Sequence, residues 1–243
     1  MPVKVLLNGA KGRMGQAIIA AAPASDCEIV GACDLGDDIE PHVKNCDVAV
    51  DFSFRDATEP LAVLCAKYGK PLVIGTTGHT PQQRENILNA ASNIAVVWAG
   101  NYSIGVNLLN RLTEIAAEIL DDSYDVEIVE MHHRMKKDAP SGTADKLKQI
   151  VCRARNVGED SVCYGRKGLV GERPRGEIGV HAMRGGSVVG DHTVVFAADG
   201  ERLELTHRAA DRKVFSQGAL KAAKWIVGKP AGLYDMSDVL NFK

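Results

Sequence analysis

Between residues 130 and 144 the chain reads EMHHRMKKDAPSGTA: two adjacent histidines, an arginine and two lysines, then Ala-Pro-Ser-Gly-Thr. Imidazole exchanges protons near neutral pH, and an ammonium crowded by other cations and shielded from water is displaced toward the same range. This stretch therefore holds groups able to act as acids near neutral pH. Pro140 forbids further strand pairing, which places His132 to Lys137 at a strand end and in the loop beyond it. Ser141 or Thr143 then caps a helix whose first N–H groups point outward. Ammonium, imidazole and a helix N-terminus together suit a small substrate bearing carboxylates. The plain alternative is a solvated basic loop. A metal site is a weaker one, because adjacent histidines on a strand point to opposite faces and no H-E-x-x-H or Cys/His spacing accompanies them. Ser141 also lacks the G-x-S-x-G elbow of a serine nucleophile.

A second stretch, VKVLLNGAKGRMGQAII, carries Gly9, Gly12 and Gly15 at a strand-to-helix junction. Glycines there permit a tight turn and close backbone approach to a pyrophosphate, whose charge meets free N–H groups at the helix N-terminus. Asp34 ends the next strand candidate, where an acid accepts from ribose hydroxyls. The residues that follow, in DLGDD, add two acids and no arginine to greet a 2′-phosphate, which favours NADH. Lys11 and Arg13 can swing toward such a phosphate, so NADPH is not expected to be wholly excluded.

These residues need a scaffold. From residue 3 to about 101, apolar runs at 3–9, 28–34, 47–53, 71–77 and 95–101 alternate with helical patterns at 12–22, 56–69 and 81–92, with Pro60 placed in the first turn of its helix. Alternation of this kind predicts a doubly wound parallel sheet. After residue 104 the pattern changes: a helix at 104–120, a strand at 124–133, a helix at 143–155, a Gly- and charge-rich stretch at 165–179, and strands near 178–185, 189–197 and 201–208. Asp199-Gly200 between the last two is a hairpin signal. A final helix is expected at 214–228, returning to the first domain. The expected fold is α/β, with a dinucleotide-binding domain of residues 1–103 and 213–243. The second domain, 104–212, is expected to be α+β with a mixed, mostly antiparallel sheet and to bind substrate.

Composition narrows the function classes. Lysine and arginine total 29 against 31 acids, so no overall field recruits nucleic acid or an anionic membrane. Six cysteines include no C-x-x-C pair; most sit in apolar runs and read as reduced thiols. The opening MPVKVLLNGA enters a strand pattern at once, and a cytoplasmic protein is expected.

In chain order, GAKGRMG (9–15), DFS (51–53), GTTG (75–78), GNYSIGVN (100–107), HHRMKKDAPSGTA (132–144), RGGSVVGDHTV (184–194) and GLYDMSDVL (232–240) make the chain similar to the dihydrodipicolinate reductase family. The resemblance spans nearly the whole chain, and its histidine-lysine segment is highly specific. It implies reduction of a cyclic imine-type dicarboxylate by NADH or NADPH, on the route to diaminopimelate and lysine, in a homotetramer built through the C-terminal domain. It implies cofactor contacts from Gly9, Ala10, Lys11, Gly12, Arg13 and Met14, from the ribose acid Asp34, and on the nicotinamide side from Gly75, Thr76, Thr77, Ala99, Gly100, Asn101 and Tyr102. It further implies His132 and Lys136 as catalytic, with His133, Gly142 and Thr143 binding substrate. Leu35 departs from the arginine that often follows the ribose acid in members that use NADPH well, and NADH is expected to serve at least as well. Gly100 and Tyr102 replace residues often seen as Ala or Pro and as Phe. Two rival readings share the first motif but lack the second: an aspartate-dehydrogenase-like enzyme and a non-catalytic dinucleotide sensor.

Overall fold

Strands covered on both faces carry apolar side chains on both, and the first hundred residues follow that rule. In the computed structural model, which describes residues 1–242, these residues run β1 (Val3–Asn8), α1 (Arg13–Ala21), β2 (Cys27–Cys33), α2 (Glu40–Asn45), β3 (Val48–Asp51), α3 (Arg55–Lys67), β4 (Leu72–Ile74), α4 (Pro81–Ala91) and β5 (Ala95–Trp98). Val5 and Leu7 of β1 enter one core with Val48 and Val50 of β3, while the alternate residues Leu6 and Ala49 enter the core on the opposite face. Every pairing in this sheet is parallel.

The chain then forms α5 (Ile104–Ile119), β6 (Asp125–His132), α6 (Gly142–Ala154), β7 (Val162–Cys163), β8 (Ile178–Arg184), β9 (Gly190–Ala198) and β10 (Glu201–Ala209), followed by α7 (Lys213–Ile226), β11 (Gly232–Tyr234) and α8 (Met236–Val239). It divides into two units: Met1–Ile104 together with the chain from Arg212 onward, and Gly105–Asp211.

In the first unit the strand order is β11-β5-β4-β3-β1-β2. The order reverses beside β1, so the carboxyl ends of β1 and β3 flank the point where open α/β sheets bind ligands. Helix α7 returns to this unit and supplies Ala219, Leu220 and Ile226 to the Val5 core. A Cβ at Gly218 would lie 1.7 Å from the Tyr102 carbonyl oxygen, so a glycine there lets the helix reach the Tyr102 backbone. Four short elements escape sequence periodicity: α2, β7, β11 and α8 span six, two, three and four residues. Pro60 lies deeper than expected, because α3 starts at Arg55. Its missing N–H leaves the Asp56 carbonyl without its helical donor, and Asp56 is exposed to water.

The second unit holds a mixed sheet of order β10-β9-β6-β8-β7. Its long β6·β9 and β9·β10 pairings are antiparallel, whereas β8 runs parallel to both β6 and β7. The Asp199-Gly200 hairpin joins β9 to β10 with Ala198 opposite Glu201 and Gly200 at φ +94°. Strict alternation along β6 sends Val126, Ile128, Glu130 and His132 inward, the first two into a core with Leu147 and Val151 of α6. Among the described residues no helix is long and apolar enough to cross a membrane.

Candidate active site

In the first unit the glycine loop is built by backbone contact. Gly9 adopts φ +85°, and a Cβ on it would lie 2.4 Å from the Phe52 carbonyl oxygen; a Cβ on Gly15 would lie 2.2 Å from that of Gly9. Only glycine fits either place. Helix α1 begins at Arg13 with Gly12 as its N-cap, no side-chain cap and no acid in its first turn. An uncapped, acid-free N-terminus behind a glycine turn is an anion receptor, and these residues fit a dinucleotide's pyrophosphate. Ala10 is buried, Lys11 and Arg13 are exposed, and Met14 packs partly against the core.

Asp34 follows β2 and folds back over this loop. Its Oδ1 accepts from the Leu35 N–H at 2.9 Å and its Oδ2 from the Lys11 N–H at 2.8 Å. Those two bonds, with the Lys11 charge, hold the carboxyl below the usual aspartate range. A carboxylate offers about four lone-pair positions, so it retains acceptor capacity for a ribose. Asp37 accepts from the Asp34 N–H at 2.8 Å and sets the turn.

The expected nicotinamide-side residues divide into two groups. Gly75 admits the Phe52 ring, whose Cε1 would lie 2.2 Å from a Cβ, and Thr77 and Gly100 are exposed. Asn101 Oδ1 accepts from the Ser103 N–H at 2.9 Å, and Ala99 is half-buried. Thr76 and Tyr102 turn inward. The Thr76 hydroxyl bonds Asp51 at 2.8 Å and the Ser53 N–H at 3.0 Å. The Tyr102 hydroxyl donates to the Ile74 carbonyl at 2.7 Å, and burial pushes that phenol up. Both side chains brace the segment rather than face outward.

The second unit organises the histidine-lysine segment around Glu130, which is 1 % exposed. Arg184 of β8 donates to both its oxygens at 2.9 Å, Ser141 N–H donates to Oε1 at 3.1 Å, and His132 Nδ1 lies 2.6 Å from Oε2. Burial opposes ionisation of Glu130, but the bonds from Arg184 and His132 outweigh it and hold the carboxyl below the usual range. Burial pushes His132 down; Glu130 pulls it up, but the Lys136 and Arg184 charges add to the fall, and the imidazole ends below its ordinary value. With Glu130 accepting at Nδ1, the neutral ring carries its proton there, which leaves Nε2 as the titrating atom. A Cβ at Gly190 would lie 3.0 Å from Nε2, so this glycine keeps the atom clear.

Lys136 pairs with Asp138 at 2.9 Å, and His133 lies half-buried at the strand end with its N–H on the Val188 carbonyl. Of the two possible caps of α6, Ser141 is the one used, its Oγ accepting from the Ala144 N–H at 3.3 Å. The same hydroxyl meets His192 Nε2 at 3.1 Å, and the His192 ring stands edge-on to His132 at 5.1 Å. Gly142 and Thr143 thus open α6 beside the histidines, with nothing within 4 Å of a Cβ at Gly142. Glu130, Arg184 and His192 lie outside the residues singled out from the sequence. Glu130 had a signal: two positions before His132 on a strand, it must share its face. Arg184 and His192 arrive through register, opposite His132 and Glu130 respectively.

Two family models match the chain: "Dihydrodipicolinate reductase, N-terminus" over residues 3–102 and "Dihydrodipicolinate reductase, C-terminus" over 105–240. The 4-hydroxy-tetrahydrodipicolinate reductase of Akkermansia muciniphila is 54% identical over 98% of both chains. That of Thiobacillus denitrificans is 46% identical over the full length of both. A solved dipicolinate-bound dihydrodipicolinate reductase from Paenisporosarcina sp. TG-14 superposes with a TM-score of 0.78 at 25% identity, covering 97% of this chain and 98% of that one.

Proposed function

The chain belongs to the dihydrodipicolinate reductase family, and from that premise we propose that it reduces 4-hydroxy-tetrahydrodipicolinate to tetrahydrodipicolinate in diaminopimelate and lysine biosynthesis. The observation that carries the reading is His132, buried at 8 % exposure, held at Nδ1 by Glu130 and left clear at Nε2 beside the opening of α6. The bound dinucleotide supplies a hydride; the side chains do the rest. Gly9 to Met14 hold the pyrophosphate, Asp34 the ribose, and the Gly75–Thr77 and Ala99–Tyr102 segments the nicotinamide end. His133 and the N-terminus of α6 at Gly142 and Thr143 hold substrate carboxylate. His132, charged at Nε2, delivers the proton that accompanies hydride, and Lys136, at Nζ, steadies the electron density building on the conjugated imine. The carboxylates of a bound dianion favour charged His132, against the lowering it shows without ligand.

NADH serves at least as well as NADPH in this reading. Its support is Asp34, engaged by the loop backbone, and Leu35, 97 % exposed where a phosphate-binding cation would sit. Steady-state kcat/KM with both cofactors decides it, and a preference for NADPH above about tenfold, or ~1.4 kcal/mol, overturns it. A homotetramer through the second unit is supported by Met183, 47 % exposed and paired with Met131 on the face of the sheet turned away from the Leu147 core, with an expected solution mass four times the 26.0 kDa chain. A cytoplasmic setting is supported by six free cysteines. The activity itself is tested by following NADH oxidation while a synthase makes the substrate from pyruvate and aspartate semialdehyde; no oxidation in the presence of accumulating substrate refutes it.

A further inference from the structure

One buried acid has no part in the chemistry above. Asp51, the last residue of β3, is 0 % exposed. Its Oδ1 accepts from Asn8 Nδ2 at 2.9 Å and from Ser53 Oγ at 2.5 Å; its Oδ2 accepts from Thr58 Oγ1 at 2.6 Å and from Thr76 Oγ1 at 2.8 Å. All four donors are neutral, and no ion pair reaches Asp51 among the described residues. His79 feels its charge, but burial holds that imidazole below the ordinary histidine range despite the pull of Asp51. Burying a carboxylate with no counter-ion is costly, and neutral donors recover only part of that cost, so such a group calls for an explanation beyond packing.

Its position supplies one. Asp51 stands in register with Asn8 at the carboxyl ends of β3 and β1, where the strand order reverses. The next residue, Phe52, presses its carbonyl against Gly9 and its ring against Gly75, so the acid lies between the glycine loop and the Gly75–Thr77 segment. When hydride leaves, the neutral reduced nicotinamide becomes a cation. The substrate takes the hydride and a proton and loses water, so the one new charge on the cofactor is positive. We propose that Asp51 is a built-in counter-charge for the oxidised ring, favouring bound NAD⁺ over bound NADH and thereby easing hydride departure. This rests on the reading of Gly75–Thr77 and Ala99–Tyr102 as the nicotinamide end. Its four donors keep the acid oriented without neutralising it, and burial keeps its field unscreened by salt.

The test is the ratio of NAD⁺ to NADH dissociation constants, measured by calorimetry and by NADH fluorescence on the full chain without substrate. Asp51→Asn should raise Kd for NAD⁺ relative to NADH by about tenfold or more, equivalent to raising the potential of the bound two-electron couple by about 30 mV per tenfold. NADH affinity itself should stay within about threefold. Should the amide disturb the four donors and prevent folding, Asp51→Ser, whose hydroxyl and an admitted water accept from the same groups, should give the same rise. Thr58→Val removes one hydrogen bond but keeps the charge, and should leave the ratio unchanged. Equal weakening of both cofactor forms in the charge-removing variants overturns the proposal and leaves Asp51 as a brace. If the wild-type chain binds neither form, the cofactor reading falls and the proposal falls with it.

Discussion

His132 titrates at Nε2 because Glu130 holds Nδ1, and that assignment has measurable consequences. His132→Ala should lower kcat by on the order of 10²-fold with NADH affinity nearly unchanged, the usual contribution of a positioned proton donor. In the wild type, kcat/KM should fall as pH rises through the free-enzyme pKa of His132, which burial holds below 6.5. A limb above pH 6.5 instead would overturn His132 as the titrating acid. His192 makes a separate case. Burial, with the neighbouring His132 charge, holds it down to about 4, from 6.5. The unfolded chain therefore binds more protons between those values, so its contribution is full above pH 6.5 and is lost as pH falls toward 4. The size is about 3 kcal/mol. Urea unfolding at several pH values should show this acid limb shallower in His192→Gln; His132 adds its own share in the same direction and remains in the variant. An unchanged limb would falsify the assignment.

At the scale of elements, the glycine loop is rigid for steric reasons that a methyl group exposes. Gly15→Ala sets a Cβ 2.2 Å from the Gly9 carbonyl oxygen and 2.6 Å from that of Ala10, both backbone, so α1 and the loop must separate. NADH affinity should fall by at least about tenfold, about 1.4 kcal/mol, in a fluorescence titration. This junction was legible because a glycine pattern, an apolar strand and an amphipathic helix adjoin in sequence. So was the parallel sheet, since Val5, Leu6 and Leu7 are all apolar and only a strand covered on both faces uses three in a row. The short elements α2, β7, β11 and α8 were not, because none of them sits in a continuous apolar run like those that mark β3, β4 and β5. The second site was half legible. Glu130 and His132 share a face by counting, whereas Arg184 and His192 come to them only through the pairing of β6 with β8 and β9. Spacing along the chain holds no record of that register.

At the scale of the molecule, each hydrophobic cluster lies within one unit: the Val5 and Leu6 cores in the first, the Leu147 core in the second. Leu147→Ala, at a side chain with 0 % exposure, should cost about 2–5 kcal/mol in the second unit. Calorimetric unfolding should show it, with NADH affinity of the folded chain within about twofold of wild type; parallel loss of both would mean the units are not energetically separate. The first unit is nevertheless interrupted, since its α7 and α8 follow the entire second unit in the chain. That order matters on the ribosome. Val5, Leu7, Val48 and Val50 emerge early, but Ala219, Leu220 and Ile226, which cover them, are translated only after Gly105–Asp211. At about 10 residues per second the nascent sheet waits on the order of 10 s with this face covered only in part, by Ile18 and its neighbours in α1. The Leu147 core needs only residues of Gly105–Asp211, all translated within that interval, so the unit whose strands emerge first is the last to be completed.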